Sequence, residues 1–266
     1  SEGYLLFWAD NQPWEGPNHL GFKLSIDGEQ IILVGTDGIT IIDSLTYQSQ
    51  TTNISQGRHP DGSELWSFFN TPSPGSSNPQ GYFGIAGSVT LSPSAGLYTP
   101  SVTVSITNDD PESNIVYTLD GSNPDSLSDI LTDPLLLNSS SVIRARTIKD
   151  NYIPGPIVSN AYYVNENCNL PVLTLITDPD NLFDETIGIY ENYDSYGFDW
   201  ERDVHVQYFM NQLEFSIPSG IRIQGSTSRF RSKKSFRLFF RDGYGQDRLE
   251  YELFKGSPVQ SFKNVV

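Results

Sequence analysis

Ile31-Ile32-Leu33-Val34-Gly35-Thr36-Asp37-Gly38-Ile39-Thr40-Ile41-Ile42 is two β-branched runs either side of an Asp-Gly turn. Asp-Gly between such runs marks a hairpin, because the tight turns that match strand twist need residues tolerant of positive φ. The same reasoning places turns at Asp27-Gly28 and Asp61-Gly62. No window of about twelve residues holds a 3.6-residue apolar period, so the whole chain reads as mainly β. Thr71-Pro72-Ser73-Pro74-Gly75-Ser76-Ser77-Asn78 is rich in Pro, Gly and Ser and poor in apolar residues, which reads as a linker and a first boundary.

Short strands continue beyond it. Val102, Val104 and Ile106 alternate with polar partners, as a half-buried strand requires. Ile115-Val116-Tyr117 runs to an Asp120-Gly121 turn, and Val142-Ile143-Arg144-Ala145-Arg146 and Ala161-Tyr162-Tyr163-Val164 follow. This spacing predicts a β-sandwich of roughly 85 residues. A third segment opens with Val172-Leu173-Thr174-Leu175-Ile176, then a loop or helical turn from Asp178 to Glu185. Val204, Val206 and Tyr208 share one strand face, Ile217, Ile221 and Ile223 continue the pattern, and Phe236, Leu238 and Phe240 alternate with Arg237, Phe239 and Arg241.

The chain has 266 residues and a net charge of −16, with 16 Lys+Arg against 32 Asp+Glu. That balance argues against general nucleic-acid binding, which needs clustered cations. No run approaches the length of a membrane span, and no basic-then-apolar leader precedes residues 4–9. A single cysteine forbids an intrachain disulfide, and Cys168 in a connector reads as a spare thiol. The charge is unevenly spread. Residues 1–200 hold 5 basic and 25 acidic side chains, whereas residues 201–266 hold 11 basic and 7 acidic. The last quarter presents a different surface.

Three resemblances emerge from ordered motifs. Phe22-Lys23-Leu24-Ser25, Asp27-Gly28-Glu29, Asp37-Gly38, Asp43-Ser44, Tyr47, Ser55-Gln56-Gly57-Arg58, Pro60-Asp61-Gly62 and Trp66 resemble the bacterial lamin-tail domain. That implies an immunoglobulin-like sandwich at 1–78, here lacking its first strands. Gly96-Leu97-Tyr98, Val102-Thr103-Val104, Ile115-Val116-Tyr117-Thr118, Asp120-Gly121-Ser122-Asn123-Pro124, Ile143-Arg144-Ala145-Arg146 and Lys149-Asp150-Asn151-Tyr152 resemble the C-terminal β-sandwich of chitobiases and β-hexosaminidases. That implies a second, accessory sandwich at 79–165. Asn181-Leu182-Phe183-Asp184, Gly188-Ile189-Tyr190, Gly220-Ile221-Arg222-Ile223-Gln224-Gly225, Ser228-Arg229, Lys233-Lys234-Ser235-Phe236-Arg237-Leu238 and Leu253-Phe254 are similar to the N-terminal part of the spore-coat CotH kinase-like family. That implies a β-rich front portion of a kinase-like domain at 166–266, in a secreted or cell-surface bacterial protein. The family's catalytic aspartates would lie past Val266. The expectation is no catalytic residue, metal ligand or cofactor in this chain, with ATP and a divalent metal serving the full-length protein. The implied partner is a secreted or surface protein substrate; a non-catalytic adhesion or carbohydrate-binding stalk would take a cell-surface glycan instead.

Six cations fall between Arg229 and Arg241. On an extended strand Ser235, Arg237 and Phe239 point one way, and Lys234, Phe236, Leu238 and Phe240 the other. Lys234 then begins an apolar face from which it could reach an ATP phosphate, as a kinase strand lysine does. Lys233, Lys234, Arg229, Arg222 and Arg237 are therefore the candidate nucleotide-binding residues. The same run also reads as a solvated basic strand facing the acidic modules. Gly220-x-x-x-x-Gly225-Ser226-Thr227 has phosphate-loop spacing but no lysine after the second glycine, so it is not one. The acidic stretches around Asn108-Asp109-Asp110 and Asp178–Asp184 lack the pattern of a calcium loop, and His19, His59 and His205 have no metal-seating spacing. Trp8, Trp14, Trp66 and Trp200 read as core packing, with a sugar-stacking surface as the rival.

Overall fold

The computed structural model describes residues 3–167 and 169–266; Cys168 lies outside the described residues. The chain is mainly β and parts into two compact units. The first runs to Ile85 and takes in Asn151–Ile153; the second holds Ala86–Asp150 and Pro154–Val266.

Unit 1 contains two separate strand pairs. β1 (Gly28–Val34) pairs antiparallel with β2 (Ile41–Gln48), and β3 (Ser55–Arg58) with β4 (Trp66–Phe69). The Asp37-Gly38 turn forms as read: Asp37 Oδ1 accepts the amides of Ile39 and Thr40 at 3.0 and 2.9 Å. With the Thr40 hydroxyl donating to its other oxygen, the Asp37 carboxyl is held down to about 2. Residues 71–78 fold back on β3, where the Asn78 amide donates to Arg58 O at 2.8 Å. Antiparallel bonding of Phe68 with Tyr82, and of Phe83 N with Asn151 O, closes the unit.

Among the described residues no second sheet covers β1 and β2. Ile32, Leu33, Ile41 and Ile42 are exposed, and Ile39 at the tip is 84% exposed. The buried apolar side chains of unit 1, among the described residues, are Phe69 and Ile153. The core-packing expectation is corrected for three of the four tryptophans. Trp8, Trp14 and Trp66 are exposed: Trp8 stacks on His19 and Trp66 lies under the Arg58 guanidinium rather than in a core. Trp200 alone packs against a core.

Unit 2 begins with a sandwich. β5 (Thr90–Ser92), β7 (Val102–Thr107) and β10 (Leu135–Leu137) form one sheet in the order β10-β7-β5. β6 (Gly96–Tyr98), β8 (Asn114–Thr118), β9 (Asp129–Ile130), β11 (Ser141–Ile148) and β12 (Val158–Val164) form the other, ordered β6-β12-β11-β8-β9. The alternation of β7 works as expected: Val102, Val104 and Ile106 are buried against Ile143, Ala145 and Tyr162.

A five-stranded sheet follows, ordered β13-β14-β15-β16-β19, from β13 (Val172–Ile176), β14 (Arg202–Phe209), β15 (Leu213–Gln224), β16 (Ser235–Phe239) and β19 (Asn264–Val265). β17 (Leu249–Glu250) and β18 (Ser261–Phe262) pair separately. The helical turn is α1 (Pro179–Phe183), capped by the Asp178 carboxylate. Val204, Val206, Ile217, Ile221, Ile223, Leu238 and Phe240 build the core on one face of this sheet. Burying each such side chain contributes about 1.5–3 kcal/mol.

Sandwich and sheet share a seam. Ala161, Ile176 and Phe209 are buried together there, with the Tyr163 ring edge-on to Phe209. β6 bonds to β12 only over residues 162–164, so the β12 edge before that point lacks a strand neighbour. The fully buried Gln207 side chain of β14 fills the gap: its Oε1 accepts Ala161 N–H at 2.9 Å, and its Nε2 donates to Ser159 O at 3.2 Å. An amide side chain thus continues the ladder that the backbone leaves off, satisfying groups that would be costly to bury unpaired.

Candidate functional site: an arginine-lined cavity

The register of β15 and β16 decides which side chains meet. Ile221 pairs with Leu238 and Ile223 with Phe236 on the core face, while Arg222 pairs with Arg237, and Gly220 with Phe239, on the other. The alternation that builds the core therefore brings two guanidiniums side by side on the opposite face. They line a cavity of about 230 Å³ together with Arg229, Gln224, Asn192, Tyr196 and Trp200.

Phe239 is the floor. The Arg222 guanidinium lies 3.9 Å from its ring centroid, with Arg241 at 5.0 Å and Arg237 at 5.9 Å. Cations over an aromatic face are attracted by its quadrupole. Behind them the Glu201 carboxylate, 1% exposed, sits 3.3 Å from Arg222 Nε and 2.9 Å from Arg241 Nε. Tyr244 O–H also donates to it at 3.1 Å, and burial, with this carboxylate's charge, pushes the Tyr244 phenol well above its usual range. Gly220 makes the arrangement possible: a Cβ there would lie 2.5 Å from Glu201 Oε1.

Arg229 is 5% exposed and pins the opposite wall. Its Nη1 donates to Tyr193 O and Ser195 O at 2.7 and 2.8 Å, its Nη2 to Ile223 O at 2.7 Å, and its plane lies 4.0 Å from the Tyr196 ring centroid. Among the described residues its Nε has no partner, and neither does the buried Nε of Arg237. Buried N–H groups ordinarily find an acceptor.

Three of the five residues read from sequence, Arg222, Arg229 and Arg237, converge on this cavity; Lys233 and Lys234 do not line it. Lys233 is exposed. Lys234 Nζ donates to Arg229 O at 2.9 Å and Arg231 O at 3.2 Å, over the rings of Tyr193 at 4.1 Å and Tyr190 at 5.1 Å. Glu201 and Tyr196 were not singled out by the sequence reading as parts of a site, and Trp200 entered it only as a core or sugar-stacking residue. The signal available for them was the aromatic run Tyr190, Tyr193, Tyr196, Phe198 and Trp200 ahead of the basic strand.

Elsewhere, linear spacing hid one cluster. In unit 1 the loop closed by Trp8–His19 and Asp10–Lys23 bridges brings Asp10, Glu15 and His19 together, with donor atoms within 4.8 Å of one another. His19 Nδ1 is engaged by Asp10 at 2.6 Å. The acidic stretch at Asp110 is occupied by a lysine, since Lys149 Nζ lies 2.8 Å from Asp110 and 3.0 Å from Glu112.

Residues 93–159 match the family model of the chitobiase/beta-hexosaminidase C-terminal domain. The match falls on the sandwich of unit 2 and agrees with the resemblance read from residues 96–152. Comparison with curated proteins finds no match. No helix among the described residues is long and apolar enough to cross a membrane.

Proposed function

We propose that this chain is the accessory part and the front of an atypical, CotH-like kinase from a secreted or cell-surface bacterial protein, and that its arginine-lined cavity receives the phosphate end of a nucleotide. The convergence of Arg222, Arg229 and Arg237 on one cavity carries this reading. Among the described residues no carboxylate lines that cavity, and Glu201 behind it is shared between Arg222 and Arg241. Guanidiniums with unengaged N–H groups suit phosphate oxygens geometrically. In this reading unit 1 is a lamin-tail-like module and the unit 2 sandwich is a scaffold to which the kinase-like sheet is joined. The acceptor is a secreted or surface protein. ATP and a divalent metal are used by the full-length protein, and the chain alone turns over no ATP.

Calorimetric titration with ATP tests the reading. Saturable binding that weakens about tenfold or more in Arg237→Ala, a loss of about 1.4 kcal/mol, supports it. Absence of saturation, or binding indifferent to Arg237, defeats it.

One observation favours a second reading, a carbohydrate-binding or adhesion stalk: Trp8, Trp14 and Trp66 are exposed. Exposed indoles stack on the apolar faces of sugars. Glycan-array binding abolished by Trp14→Ala would select that function over the first.

A further inference from the structure

We infer that the cavity lined by Arg222, Arg229 and Arg237 is built for one phosphate monoester dianion, and that Lys234 positions it without touching the ligand. This rests on the anion-binding reading above and narrows it.

Charge sets the ligand's sign. Three guanidiniums line the cavity, and the buried Glu201 carboxylate is shared between one of them, Arg222, and Arg241 outside the lining. Two cations, Arg229 and Arg237, are left without a carboxylate partner among the ion pairs of the described residues. Each also has a buried Nε–H without an acceptor. A phosphate monoester brings nearly two negative charges at pH 7 and three acceptor oxygens. Size sets how much of the ligand enters. About 230 Å³ is below the roughly 300–1,000 Å³ of sites that enclose a whole small molecule. The cavity therefore takes the phosphate, and the rest of the ligand stays outside.

Lys234 has a different task. Its ammonium is spent on the carbonyls of Arg229 and Arg231 and on two tyrosine faces. Those carbonyls belong to the 3₁₀ turn Thr227–Phe230 and the residue after it. Lys234 thus holds the turn that carries Arg229, and the arginines are left to meet the anion.

The test follows Arg Nε–H and Lys Nζ signals by ¹⁵N-edited NMR while the full chain is titrated with methyl phosphate, ATP or acetate. Methyl phosphate should move the Arg229 and Arg237 signals saturably and leave Lys234 still. Its affinity should rise about fourfold from pH 5.5 to 7.5, as a second ionisation near pH 6 completes. ATP should compete with it. Lys234→Met should weaken binding while hydrogen exchange quickens across residues 226–231; Arg237→Gln should weaken it with exchange there unchanged. If methyl phosphate shifts Lys234, or acetate binds as tightly, the inference fails although the anion-binding reading stands. If neither methyl phosphate nor ATP saturates, that reading fails too.

Discussion

The β1–β2 hairpin of unit 1 and the β15–β16 pair of unit 2 are built from similar material and reach opposite ends. Both are antiparallel and rich in β-branched or aromatic residues. In β15–β16 one face is covered by the core around Val206 and Phe240, and the other closes over the arginine cavity. In β1–β2 no residue is fully buried: five of the seven β1 positions are exposed and two half-buried, and six of the eight in β2 are exposed. The lesson is that alternation specifies a strand but not its environment; a partner surface must be present for burial to stabilise it.

The sharpest way to break the comparison is a paired truncation. Ile221→Ala, at a site 1% exposed, should cost about 3 kcal/mol, whereas Ile42→Ala on the hairpin should change stability by less than about 0.5 kcal/mol. Equilibrium denaturation of both variants decides it, and equal losses would mean that the hairpin is covered in solution.

Next in size is the seam. Gln207→Leu leaves the Ala161 amide and the Ser159 carbonyl without their side-chain partner, at about 2 kcal/mol. Chemical denaturation of the variant should show unit 2 unfolding earlier. No loss would mean that the amide bridge is replaced by water.

A smaller effect depends on pH. Burial, helped by the nearby Arg144 charge, holds His205 down to about 4 from an ordinary 6.5. The unfolded chain therefore takes up a proton that the folded chain refuses between those values. The His205 contribution to stability is level above pH 6.5 and falls as pH drops towards 4. The ring is only half-buried, so the loss should be about 1–2 kcal/mol, and His205→Gln should flatten it. Denaturation midpoints across pH 4–7 measure this; a slope unchanged in His205→Gln would assign it to another group.

The smallest change should come from the hairpin tip. Ile39→Ser should leave stability within about 0.5 kcal/mol and reduce concentration-dependent association seen by light scattering, since an exposed apolar edge invites pairing.

Local chemistry explains what sequence could disclose. The Asp37-Gly38 turn, the helical turn following Asp178 and the alternation through Val102, Val104 and Ile106 depend on neighbours within a few residues, and each appears where expected. The outward direction of Arg237 followed from the same alternation. Its meeting with Arg229 did not, because Arg229 arrives on a 3₁₀ turn whose path is set by tertiary hydrogen bonds to Tyr193 and Ser195. Lys234 was placed on the strand, yet it lies just before β16, where backbone carbonyls capture its ammonium. The tryptophans misled for a simpler reason. Indole burial depends on an opposing sheet that composition cannot reveal.

Gln207 has a consequence for inheritance. A β-sandwich is the kind of cassette that recombination moves between genes, yet here its last strand is completed by a side chain encoded more than forty residues downstream. A crossover between residues 165 and 171 would deliver a sandwich with an open edge to its new host. It would also leave behind a sheet whose Gln207 amide has lost its partners Ala161 and Ser159. Lineages that keep the two segments together keep that bond, so sandwich and sheet should travel as one hereditary block.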